Sequence, residues 1–241
     1  MMAHGKRVAL IHALEASIAP ARTAFARRWP EAECFDLLDT SLAPDLAAAG
    51  ELTRAISGRI ESLARYAAAS EGRCGATAGI LFTCSAFGPA IDAAKRILSI
   101  PVLRPNEALF SRAVLEGRRI GMLVSFAPSL AGLDEEMRLA AQAADQNISV
   151  FSAHAAGALE ALQSGDSEGH DRLVAEAACR LPDVDLIILG QFSMARAAQK
   201  VAGATGRPVL TTPECGVDAL RSLTNTGLKE YSACKSWRST T

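Results

Sequence analysis

The segment Gly79-Ile80-Leu81-Phe82-Thr83-Cys84-Ser85-Ala86-Phe87-Gly88-Pro89 joins an apolar run to a helix start. Its first four residues read as a strand buried on both faces, as in a parallel sheet. The run ends in a hydroxyl, a thiol and a hydroxyl (Thr83, Cys84, Ser85), and Gly88-Pro89 opens a helical pattern. Cys84 is therefore expected at the carboxyl end of a strand, just ahead of a helix N-terminus. Open α/β sheets place ligand sites there. Unpaired backbone N–H groups at such a place also bind anions and lower a thiol's pKa.

The flanking chain repeats the layout. Before it come a strand at Arg7–Ile11, a helix from about Pro20 to Trp29 and a weaker strand at Ala32–Leu38. Apolar spacing then predicts one long amphipathic helix from Asp45 to Ala69. After it come a helix through Ile91 and Leu98, a short strand at Ile100–Leu103, and a helix to Glu116. A second cycle starts at the strand Arg119–Val124 and a helix over Leu130–Ala143. It continues through a strand at Ile148–Phe151 and helices at His154–Gln163 and His170–Arg180, with His154 and His170 as helix-start residues. Strands at Asp185–Leu189 and Arg207–Leu210 flank a helix to Lys200. After a turn over Thr211–Gly216, a last helix spans Val217–Leu223 and a polar tail follows Thr224.

Strands alternating with helices mean parallel sheets with helical crossovers. Three landmarks recur at one offset: Cys84 and Gln191, Pro101-Val102-Leu103 and Pro208-Val209-Leu210, and Glu107 and Glu214 each lie 107 positions apart (191 − 84 for the first pair). The offset predicts a duplicated α/β half. Two pseudo-symmetric lobes follow, each a parallel four-stranded sheet flanked by helices, with the active site in the cleft between them. Lobe one takes residues 1–103 plus 212–241, and lobe two 104–211.

Composition narrows the partners. The 241 residues are 49% apolar and carry a net charge of −1, which argues against a nucleic-acid partner. No apolar run approaches the roughly 20 residues of a membrane span, and the apolar segment near the N-terminus is too short for a signal peptide. The six cysteines (Cys34, Cys74, Cys84, Cys179, Cys215 and Cys234) form no CxxC pair and no metal-ligand spacing. Reduced thiols and a cytoplasmic location are the expectation. No metal and no organic cofactor is implied by any motif, and a homo-oligomer is compatible with the sequence.

Phe82-Thr83-Cys84-Ser85, Leu189-Gly190-Gln191-Phe192-Ser193-Met194-Ala195 and Thr212-Pro213-Glu214-Cys215-Gly216-Val217 resemble the aspartate/glutamate racemase superfamily. The resemblance runs from Val8 to about Leu223. That superfamily holds cofactor-independent racemases for aspartate, glutamate and hydantoins, together with maleate isomerase and arylmalonate decarboxylase. Typical racemases carry a cysteine at each of two strand ends. The resemblance implies that Cys84 occupies the first, while Gln191 stands in for the second cysteine.

Racemisation removes a weakly acidic proton and returns one on the opposite face, which two acid/base groups achieve simply. Cys84 can be one of them; Gln191 has no proton to exchange. A racemase/isomerase acting on a small carboxylate-bearing substrate (amino acid, hydantoin or related) is the class the resemblance implies. A decarboxylase or lyase working through one thiol is the alternative, and a non-catalytic small-molecule binding protein the second alternative. Ser17, Thr83, Ser85, Asn106, Ser125, Phe126, Phe192, Ser193, Thr212 and Glu214 are the candidate substrate-binding residues. The hydroxyls among them serve equally well as helix caps. Leu14 and Phe87 would add apolar lining. Cys215 reads as packing for the last helix, His12 as the partner of a local hydrogen bond, and Arg104 as solvated or as a carboxylate ligand.

Overall fold

The computed structural model describes residues 5–225; the polar tail and Cys234 lie outside them. The chain divides into two compact units, with breaks at 105/106 and 215/216.

The first unit runs β1 (Arg7–His12), α1 (Ile18–Arg28), β2 (Glu33–Leu38), α2 (Leu42–Ala49), α3 (Arg54–Ala69), β3 (Glu71–Gly72), β4 (Gly75–Phe82), α4 (Gly88–Ile97) and β5 (Val102–Leu103). Its parallel strands lie in the order β2-β1-β4-β5. The two-residue β3 adds an antiparallel hairpin to the start of β4, a feature too short to leave a sequence pattern. Ile80 and Phe82 face a core shared with Ile11, Ile56, Ile60, Phe87 and Ile91. On the other face, a side chain at Gly79 would meet Leu220 at 2.9 Å, and one at Gly216 would meet Leu81 at 3.3 Å. Helices thus cover β4 on both sides, which is why its end reads as an unbroken apolar run. Each large aliphatic side chain so buried contributes about 1.5–3 kcal/mol.

The second unit holds α5 (Glu107–Glu116), β6 (Arg119–Val124), α6 (Leu130–Ala143), β7 (Ser149–His154), α7 (Ala158–Gln163), α8 (Ser167–Cys179), β8 (Leu186–Leu189), α9 (Ala198–Thr205) and β9 (Val209–Thr211). α10 (Thr212–Asn225) contains the second break. The strand order β7-β6-β8-β9 is all parallel and repeats that of the first unit. Leu123, Val174, Ile187, Leu189, Met194 and Val201 centre its core.

The duplication extends to register. Ile80 pairs with Val102 and Leu81 with Leu103; 107 positions later Ile187 pairs with Val209 and Ile188 with Leu210. A side-chain contact recurs too: the Arg7 guanidinium lies 4.1 Å over the Phe35 ring, and that of Arg119 lies 4.8 Å over Phe151. Each pair joins the first strand of its unit to the edge strand beside it, where a stacked cation covers an aromatic face.

Some boundaries differ from the sequence reading. The expected helix over 45–69 is two, because Gly50 ends α2 with φ +71° and Thr53 caps α3 by accepting the Ile56 N–H. Amphipathic spacing carries across such a break; the left-handed residue is what ends the helix. Gly50→Ala is therefore expected to cost about 1 kcal/mol by forcing a β-carbon into that conformation, read as a lower urea midpoint with an unchanged slope. His154 is not a helix start but the last residue of β7, paired with Val124, and Gly157 (φ +78°) delays α7 to Ala158. His170 lies inside α8, fully buried. The last helix begins at Thr212 rather than Val217, since Pro213 is at home in a first turn. Among the described residues no helix is long and apolar enough to cross a membrane.

Candidate active site

The carboxyl ends of the strands gather the polar residues of each unit. In the first, β4 delivers Thr83 and Cys84. The Thr83 N–H still donates to the Ile11 carbonyl at 3.0 Å, so the ladder runs one residue past the strand. Cys84 is half-buried with extended φ and ψ, and a single 3₁₀ turn over Ser85–Phe87 separates it from α4. That turn changes the electrostatics expected from sequence. Burial pushes the Cys84 thiol up, and the Ala86 N–H, the one helix-start group that reaches it, pulls it down by less. Desolvation outweighs the helix start because the thiol sits a full turn ahead of α4. Burial pushes Cys34, in β2, up to about 12.

Beside Cys84, the side chain of His12 ends β1 with no exposed surface. Its Nδ1 lies 2.9 Å from Thr83 Oγ1 and 3.0 Å from Ser17 Oγ, and the two hydroxyls are 2.9 Å apart. Its Nε2 meets Asp36 Oδ1 at 3.0 Å, and Arg22 grips Asp36 Oδ2 through two nitrogens at 2.9 and 2.6 Å. Ser17 and Thr83, expected to line a binding surface, are thus turned into the protein, and Asp36 is a polar residue that sequence reasoning missed. Burial holds His12 below its ordinary value, against the pull of Asp36. The sign follows. The unfolded chain takes up the proton first, so this contribution to stability is whole above about pH 6.5 and is lost as pH falls through it. Urea unfolding at pH 7.5 and pH 5.5 should show that loss in the natural chain, and a smaller one in His12→Asn.

Ser85 is half-buried and Leu14 is exposed on the loop after β1. Phe87, expected to shape a pocket, is 1% exposed and belongs to the core. Arg104 is engaged in its own unit: it donates to Asp92 at 3.2 Å and lies where a side chain at Gly88 would otherwise stand.

In the second unit, β6 leads to Ser125 and β8 to Gln191. The Ser125 N–H and Oγ–H both donate to Gln191 Oε1, at 2.7 and 2.8 Å. A backbone N–H can only donate, so the atom facing it is the amide oxygen and the rotamer is fixed. Gln191 then offers its NH₂, two donors and no acceptor. His154 adds a further tie, its Nε2 lying 3.3 Å from the Ser125 carbonyl. Thr212 Oγ1 lies 3.0 Å from both Asn106 Oδ1 and the Leu189 carbonyl, in a buried cluster where α10 begins. Thr211 Oγ1 beside it is buried without a hydrogen-bond partner. Phe126 is 48% exposed, whereas Phe192 is only 4% exposed and packs inward. Ser193 and Glu214 are half-buried, Glu214 in the first turn of α10, where a carboxylate complements the helix dipole. Cys215 is 3% exposed.

Among the described residues no group of three or more His, Cys, Asp or Glu side chains is arranged to hold a metal.

The model of a family described as Asp/Glu/Hydantoin racemase matches residues 3–220. The chain belongs to that family. Among solved structures it is similar to allantoin racemase from Pseudomonas fluorescens, with 18% identity, 92% of each chain covered and a TM-score of 0.67. It is also similar to glutamate racemase from Francisella tularensis in complex with D-glutamate, with 13% identity, 99% of this chain and 85% of that one covered, and a TM-score of 0.66. A third likeness is to unliganded arylmalonate decarboxylase, with 17% identity, coverages of 92% and 94%, and a TM-score of 0.56. At these identities the likeness is one of fold. No curated protein sequence matches the chain.

For a chain of the racemase family, the two strand ends differ in chemical capacity. The end of β4 carries a thiol that can take or give a proton. The end of β8 carries an amide that can hold an oxygen but exchanges no proton.

Proposed function

We propose that this chain is a cofactor-independent enzyme of the racemase/isomerase type whose acid/base work falls on Cys84 alone. Its substrate is small and carries a carboxylate. The observation that carries this reading is the double anchoring of Gln191 by Ser125, which aims an amide NH₂, and no titratable group, from the second strand end. In this reading Cys84 exchanges a proton at the carbon next to the carboxylate. Gln191 NH₂ donates to the oxygen on which charge develops as that proton leaves, a contribution that grows toward the transition state. Ser85 supplies a further donor to the carboxylate, whereas Asn106, buried against Thr212, holds the start of α10 in place. Thr83 and Ser17 act from behind, since their hydroxyls are already engaged with each other and with His12 in one buried cluster.

A specific observation favours a second reading, a one-thiol decarboxylase or lyase. Burial pushes the Cys84 thiol up and so favours its protonated form, which suits a group whose first task is to give a proton to a carbanion. The test is incubation in deuterium oxide with a panel of amino acids, hydantoins and substituted malonates, followed by proton NMR and polarimetry. Deuterium entering the α-carbon of the substrate, followed by loss of optical rotation, supports the isomerase reading. Carbon dioxide release with a stereopure product replaces it with the second reading, and no reaction across the panel counts against both.

A further inference from the structure

Asp36 and His12 set up a fixed order of donors and acceptors. A carboxylate only accepts, so His12 Nε2 carries the proton shared with Asp36 Oδ1, and Arg22 keeps that carboxylate from turning. Nδ1 of the neutral ring is then an acceptor with one lone pair. Ser17 shares its single hydroxyl proton between the Leu14 carbonyl at 2.7 Å and Thr83 Oγ1 at 2.9 Å, which leaves Nδ1 to another donor. Thr83 has 2.9 Å to Nδ1 against 3.3 Å to the Ile11 carbonyl, so its proton goes to the ring. The result is a buried chain, Arg22–Asp36–His12–Thr83, with Ser17 closing it from the loop after β1.

We infer that His12 is a positioning residue: its Nδ1 fastens Thr83, and through Ser17 the loop over 13–17, so that the turn carrying Cys84 and the loop beside it move as one piece. The inference goes beyond the proposed reaction and rests on that reading only in taking Cys84 as the reactive thiol. The backbone ladder ends at the Thr83 N–H, one residue short of the thiol. The direction in which the chain leaves the sheet is therefore set by side-chain contacts, and at Thr83 those contacts are His12 and Ser17.

The two ring nitrogens allow a test that separates positioning from space-filling. The Asn amide oxygen falls near the place of Nδ1, so His12→Asn keeps the acceptor for Thr83. The Gln amide nitrogen reaches the place of Nε2, so His12→Gln keeps the donor to Asp36 and loses that acceptor. Two readouts apply to each variant: hydrogen exchange of peptides covering 13–17 and 83–88, and the rate of Cys84 carbamidomethylation by iodoacetamide, with Cys34 as the unreactive internal reference. His12→Gln is expected to speed both by roughly tenfold through local opening, while His12→Asn stays within about twofold of the natural chain. Thr83→Val, a gentler change at a buried site, should reproduce the His12→Gln effect. The double variant should add nothing further, because both remove one interaction. Equal behaviour of the Asn and Gln variants, additive effects of His12→Gln and Thr83→Val, or exchange unchanged in Thr83→Val would each overturn the inference. Natural Cys84 labelling no faster than Cys34 would instead remove the reading of Cys84 as the reactive thiol, with the exchange data still deciding whether His12 locks the loop.

Discussion

Cys84→Ala is expected to lower kcat by roughly 10²–10⁴-fold, the share a positioned acid/base group supplies, and to leave folding stability almost untouched. Alanine has no proton to give or take, and among the described residues no other thiol directly follows the carboxyl end of a strand of either parallel sheet. Cys215 is buried in the first turn of α10, Cys34 is suppressed by burial, and Cys179 lies exposed at the end of α8. The stability half of the prediction follows from position. Cys84 stands between β4 and a 3₁₀ turn at half burial, so exchanging its sulfur for hydrogen leaves no closed cavity and costs under about 1 kcal/mol. Because burial pushes the thiol up, kcat/KM for any reaction that starts with Cys84 as base should still be rising with pH above the ordinary thiol range, and the alanine variant should show no such limb. The measurement is turnover of whichever panel substrate reacts, beside a thermal melt. Full activity in Cys84→Ala would remove the assignment, and a large drop in melting temperature would recast Cys84 as structural.

The parts of this molecule that were legible in the sequence are those set by local pattern. Ile80-Leu81-Phe82 announces a strand covered on both faces, and the family resemblance hangs on the residues immediately after it. The repeat at 107 positions was visible because the β4–β5 and β8–β9 pairs keep the same register, so the apolar dipeptides fall in step. What was hidden depends on distance in the chain or on a competition of magnitudes. The gap between α2 and α3 turns on the left-handed conformation of Gly50, which amphipathic spacing does not encode. Asp36 looks like one polar residue in a weak edge strand; only the parallel pairing of β1 with β2 brings it to His12, 24 residues away. His12 read as a local hydrogen-bonder, and Ser17, five residues on, is within that reach, but its partners Asp36 and Thr83 lie on two distant segments. The thiol's electrostatics went the other way from expectation because a helix start and burial act with opposite sign, and sequence reports the first but not the second.

Gln191→Cys is expected to change the outcome of the reaction rather than only its rate. In the proposed reading the second strand end offers hydrogen bonds and no proton, so the natural chain should exchange hydrogen on the Cys84 face faster than it inverts the α-carbon. A thiol at 191 supplies the missing proton carrier. With it the α-carbon can be protonated from either side, and optical purity should fall toward zero with time in deuterium oxide. The substitution also removes the acceptor that Ser125 N–H and Oγ–H share. Loss of the amide donor should lower the overall rate by about 10²–10³-fold, the cost of deleting one oxyanion donor. Ser125→Ala in the natural background separates the two effects: it frees the Gln191 amide to rotate, weakening turnover while leaving product stereochemistry intact. Two results would count against the argument. If the natural chain already racemises its substrate at full rate, a second proton donor exists and Gln191 is not the partner of Cys84. If Gln191→Cys retains both the natural rate and a stereopure product, position 191 does not meet the substrate, and the anchoring by Ser125 serves only to close the end of β8.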